Sequence, residues 1–198
     1  MAFYNKVKWV LGILMVFVLI LATNLIDRNN FLRVKDSVVT IYEDRLVAND
    51  LIFDISKSIQ EKEVAAIKLD SVFFFDKNNQ INEGLHDFIK TFEETKLTTK
   101  EVLVFDDLKQ NFKKVKDSEI VFIQSKLRNS NDLEKAILQV KKNLHDLSKI
   151  QLNEGSRQMS ISKKAIDTVE LFTQLEIYIL IFLAIIIQII VIYKPKEE

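Results

Sequence analysis

Arg45 stands where an apolar series should continue. Steps of three and four from Phe31 give Phe31, Val34, Val38, Ile41, Arg45, Ala48, Ile52, Ile55 and Ile59, the period of about 3.5 residues that marks a seam between packed helices. A guanidinium is a planar, two-pronged donor suited to carboxylates, so its partners are expected at the same height on the returning helix. Arg45 lies about 28 Å beyond Ile26 along a straight helix. The same distance back from Glu176 reaches Arg157, between Glu154 and Gln158. Beyond Leu147 the heptad of this stretch lands on Gln151, Glu154 and Gln158, where the apolar seam is lost. The expected constellation is a polar layer of Arg45, Glu154 and Gln158. It reads as an internal ion pair that fixes register at a cost in stability, as a ligand-binding pocket or dimer-interface site for a small carboxylate, or as an arginine whose head reaches water.

Other chemistry finds little support. Glu83 and His86 in "EGLH" have the Glu-x-x-His spacing of di-iron bundles, but that centre needs a second such pair. His145, the only other histidine, is preceded at that spacing by Lys142. Both histidines therefore read as surface residues, and no metal is expected. Asp106 and Asp107 are adjacent, hence splayed around a helix rather than paired. There is no cysteine, no glycine-rich phosphate loop and no nucleophile set beside a histidine. The reading is no enzyme and no cofactor. A formal net charge of zero leaves no electrostatic footprint for nucleic acid.

The elements that would position Arg45 are helices. Three glycines and one proline in 198 residues leave few of the turns that sheets require. Val7–Ile26 is apolar apart from Lys8 at its edge and covers a hydrocarbon core of about 30 Å. A cleaved signal peptide is the competing reading, but "LATNLIDRNN" offers no small-residue cleavage site. Ile177–Tyr193 carries only Gln188 as a polar interruption, with tyrosines at both ends. Two crossings of the lipid bilayer place 1–6 and 194–198 on one side and 27–176 on the other. Lysine and arginine counts near the membrane do not decide which side is which. Gly12 and Gln188 sit at similar depths, so a contact between crossings there would combine close approach with an amide hydrogen bond.

Between the crossings, the first helix is expected to continue to about Phe75, with "DKNNQ" as its turn. A helix follows over Asn79–Thr95, with Ile81, Leu85, Phe88 and Phe92 on one face. Thr98 and Glu101 have capping-box spacing and open a third helix bearing Phe105, Leu108, Phe112, Val115 and Phe122. Asn131 and Glu134 repeat the signal for a fourth, with Leu133, Ile137, Val140, Leu144 and Leu147. Phe31–Phe75 and Asn131–Leu175 are equal in length, which favours an all-α, antiparallel up-down-up-down four-helix bundle flanked by two transmembrane helices. The second helix is short for this plan: either the boundary near Asp76 is late, or the bundle tapers. Phe73–Phe75 reads as aromatic capping of the far tip, or as an exposed patch for a partner.

"IYEDRLVANDL" from Ile41, and the later "FEETKLTTKE", resemble the four-helix-bundle sensor domain of methyl-accepting chemotaxis proteins. The resemblance extends from the first crossing to the second. It implies a periplasmic, dimeric ligand-sensing module in a bacterial inner membrane, with both termini cytoplasmic. Chemoreceptors continue from the second crossing into a cytoplasmic signalling region, whereas five residues follow Tyr193 here. The expectation is therefore a chemoreceptor-like sensor acting through a membrane signalling partner, taking a small-molecule ligand and forming a homodimer. The alternative is a structural, membrane-anchored helical scaffold.

Overall fold

The computed structural model describes residues 2–128 and 130–192, all helical apart from short turns and with no strand among them. Tyr193 and the tail 194–198 lie outside the described residues. Helix α1 (Ala2–Thr40) passes through a π-helical turn, Ile41–Leu46, into α2 (Val47–Lys68). After a break at Leu69 and Asp70 the chain turns helical at Ser71, makes a second π-helical turn, Phe73–Lys77, and continues as α3 (Asn78–Glu94). Helices α4 (Thr99–Gln124) and α5 (Asn131–Ile192) complete the order. Two helical runs, Leu14–Lys68 and Asn131–Ile186, are long and apolar enough to cross a membrane.

The chain divides into two compact units: residues up to Val38 with those from Met159 onward, and Val39–Gln158. In the second unit, α2, α3, α4 and the first part of α5 share one core, built on Ile55, Ile59, Phe92, Phe105, Leu108 and Ile137. Phe74 packs edge-on against Phe122 at 5.1 Å between ring centroids, and Phe92 lies 4.9 Å from Phe105. Phe73 and Phe74 are buried but Phe75 is 63% exposed, since successive residues point in different directions around a helical turn and three in a row cannot all face one core.

The first unit buries small or polar residues: Thr23, Asn30 and Ser37 on α1, Ser162 and Ala165 on α5. This corrects the expected seam, because Phe31 and Val38 face outward, at 68% and 55% exposed. The cause is the π-helical turn. Thr23, Asn30 and Ser37 are spaced by sevens, as are Arg45, Ile52 and Ile59, yet Ser37 and Arg45 are separated by one residue more. A π turn closes i to i+5 and so holds one residue more than an α turn. It slips the inward frame by one position, and the sequence series, drawn without the slip, ran one residue off below it.

The first connection is also corrected. It is made at Leu69, not at Asp76–Gln80, so the sequence boundary was late. Leu69 adopts a left-handed conformation, φ 54°, and the N–H groups of Leu69 and Asp70 close onto the carbonyls of Ala66 and Ala65, a Schellman ending built without glycine. The Asp70 side chain then accepts from the Phe73 N–H at 3.0 Å, starting the next helix. At α5, Ser130 rather than Asn131 precedes the first helical residue, and its hydroxyl donates to Glu134 at 2.5 Å.

Candidate functional site

Arg45 lies inside the first π-helical turn and is buried. Its Nη1 donates to Glu101 Oε1 at 2.7 Å and to Gln151 Oε1 at 3.0 Å, and Nη2 donates to the Lys96 carbonyl at 3.3 Å. One guanidinium thus ties the π turn to α4, to α5 and to the loop before α4. Glu101 is fully buried and uses both oxygens. Oε2 accepts the Thr98 N–H at 2.5 Å, while the Glu101 N–H donates to Thr98 Oγ1 at 3.3 Å, the expected capping box. A carboxylate in the first turn also complements the positive end of the helix dipole. Arg45 Nε and Gln151 Nε2 are buried without a partner among the described residues.

The sequence placed Arg45 in such a layer but with other partners. Glu154 pairs with Arg157 on its own helix, at 2.7 Å, and Gln158 is half-buried. The difference has a geometric cause. Equal counting from the two crossings assumed equal rise on both helices, whereas the contact pairs Arg45 with Gln151, almost two turns away from Gln158. Of the other sequence-marked positions, Gly12 and Gln188 are both exposed in the chain, and a Cβ at Gly12 would meet nothing within 4 Å. Both histidines are exposed.

A second buried layer was not foreseen. Lys62 Nζ, fully buried, donates to Glu119 Oε1 at 2.6 Å and to Asn78 Oδ1. Glu119 Oε2 accepts from the amides of Asn78 and Asn82, each at 3.1 Å. Burial lowers the Lys62 pKa, and the Glu119 carboxylate beside it opposes that shift. The signal was in the heptads: Lys62 continues the series Ile52, Ile55, Ile59, and Glu119 falls between Val115 and Phe122. Opposite charges on the inward positions of two helices ask for each other. Asn78 follows directly on the second π-helical turn, so each layer draws on a residue in or next to such a turn.

Contacts order the helices. Arg45, Asn49 and Glu63 meet Gln151, Ser148 and Lys141 in that sequence, so partners on α5 fall as those on the first helices rise. Arg45 and Lys62 meet Glu101 and Glu119, rising together, while Asn82 and Glu93 meet Glu119 and Lys109 in opposite order.

The Thr98 hydroxyl isolates the cap from the ion pair. Thr98→Ala is expected to lower stability by about 1 kcal/mol, read as a shift of the urea midpoint with unchanged slope.

The arrangement holds polar side chains against one another inside a helical core. It presents no nucleophile with a base, and no cluster able to hold a metal occurs among the described residues. The sequence model of a family described as a four helix bundle sensory module for signal transduction matches residues 5–164. No curated protein and no solved structure matches the chain.

Proposed function

The chain belongs to the family of four-helix-bundle sensory modules for signal transduction, and on that premise we propose that it is a membrane-anchored, chemoreceptor-like sensor. The observation that carries this reading is that α5 runs unbroken over Asn131–Ile192, joining core residues such as Ile137 and Leu147 to an apolar stretch of membrane length. The contact order supports an antiparallel up-down-up-down bundle flanked by two transmembrane helices. The intervening domain is periplasmic and both termini cytoplasmic.

Sensing in such a design works by small displacements of packed helices, and a ligand drives them only if it binds two packings with unequal affinity. The Arg45 layer fixes register rather than taking ligand, since its Nη1 and Nη2 are engaged by protein groups. Glu154 and Gln158 border the layer without joining it. Tyr42, Leu46 and Phe53 form an exposed apolar stripe, each more than half exposed, which a second copy would cover as a homodimer. Gly12 and Gln188, exposed in one chain, are left for contacts between crossings of two copies. The output passes to a membrane signalling partner. The family is a sensory one, not a catalytic one, and we assign no enzymatic role.

The absence of native cysteine makes the test direct. In membranes of a Gram-negative host, Arg128→Cys should react with a membrane-impermeant maleimide in intact spheroplasts, and Phe53→Cys should form a disulfide-linked dimer under mild oxidation. Labelling only after lysis, or release of the chain by alkaline carbonate, overturns the topology. Absence of the crosslink overturns the dimer.

A further inference from the structure

We propose that the outer groove between α3 and α4 binds a small amphipathic anion, an apolar body with one anionic head, at Lys90, Lys113 and Lys116. The groove encloses about 390 Å³, within the range of roughly 300–1,000 Å³ of small-molecule sites. Its floor is apolar: Leu85 and Phe112 are buried and Ile89 half-buried. Its rim is cationic. Lys113 and Lys116 stand one turn apart on α4, Lys90 faces them from α3, and His86 lies beside them. Among the described residues none of the three lysines makes an ion pair.

Lys109, also at the groove, differs from them. Glu93 holds it at 2.8 Å and Asp106 at 3.1 Å, and those carboxylates, Glu93 first, raise its pKa. Held between two carboxylates, it adds no net positive charge at its end of the groove, which leaves the positive charge concentrated toward Lys90, Lys113 and Lys116. An anion there gains Coulombic attraction from three ammoniums over low-dielectric walls, and its apolar body covers the floor that water now meets. Lysines are flexible point charges without the fork of arginine, so the rim selects charge, and the floor selects the body. This site stands apart from both buried layers. Its role as a sensor input rests on the function proposed above, while binding itself does not.

The test uses the full chain in phosphatidylcholine nanodiscs, titrated calorimetrically with 2-naphthoate, 2-naphthyl phosphate and the neutral isostere 2-naphthamide. At least one anion should bind one per chain, at least tenfold more tightly than the amide, and weaken as salt is raised. Tighter phosphate than carboxylate binding identifies a phosphate head, and the reverse a carboxylate head. Lys113→Gln/Lys116→Gln should weaken binding at least tenfold and Lys113→Glu/Lys116→Glu abolish it, with helical content unchanged. Lys142→Glu, which changes the net charge on α5 by as much as the double glutamine variant does at the groove, should leave it intact. Equal affinity for the amide, no binding of either anion at millimolar concentration, or unaltered binding by the double variants overturns the site. A chain that binds naphthoate but fails the topology test keeps the site and loses the sensor reading; the converse loses only the site.

Discussion

Glu119→Leu should lower the stability of the Val39–Gln158 unit by about 3–5 kcal/mol, a fall in melting temperature on the order of 10 °C. The substitution leaves Lys62 fully buried with one neutral acceptor, the Asn78 carbonyl oxygen, and leaves the amides of Asn78 and Asn82 without their shared carboxylate oxygen. The double replacement Lys62→Met/Glu119→Leu should recover most of the loss, because it removes both desolvated charges together. A single variant as stable as the parent, or a double variant no better than the single one, would show that the layer is not held by this pair.

The same lysine gives the domain a pH dependence with a definite sign. Burial lowers its folded pKa below 10.5, so in the alkaline window between the lowered value and 10.5 the unfolded chain binds more protons than the folded one. Stability contributed through Lys62 therefore rises with pH across that window. The rise should be absent from Lys62→Met.

Glu101→Gln should be nearly as damaging, again about 3–5 kcal/mol, although glutamine keeps the reach needed for a capping box. What it removes is the charge opposite Arg45. The guanidinium, 7% exposed with its Nε already unpartnered, would be left facing neutral groups. Comparison with Thr98→Ala separates the roles: if the two variants lose the same stability, Glu101 serves the cap alone and the ion pair contributes little. Chemical denaturation of the purified protein gives both values under one set of conditions.

Much of this was legible because inward-facing helix positions repeat. The third helix, its Thr98–Glu101 start and the place of Arg45 in a buried polar layer could all be read from residue types at fixed spacing. Glu101 was recognised for one task only. The capping box accounted for it locally, and nothing within a few residues announces a partner 56 positions away. Lys62 and Glu119 were passed over because, in a chain with 28% charged residues, one more charge on a helix reads as surface until its heptad position is checked. The turn at Leu69 was missed for another reason. A leucine in a left-handed conformation carries no compositional mark, whereas the nearby asparagines of "DKNNQ", which belong to a helix, look like a loop.

The one-residue slip at Ile41–Leu46 bears on how such a gene can drift. Losing a single codon there would leave the overall hydrophobicity of the protein almost untouched and would let the turn close as ordinary α-helix with Asn30 and Ser37 still inward, whereas winding the same residues as α-helix with none removed would swing Phe31 and Val38 inward and send Asn30 and Ser37 out. Two kindred sequences differing by that codon would therefore bury the same faces on either side of the turn, one through a π-helical turn and the other through unbroken α-helix.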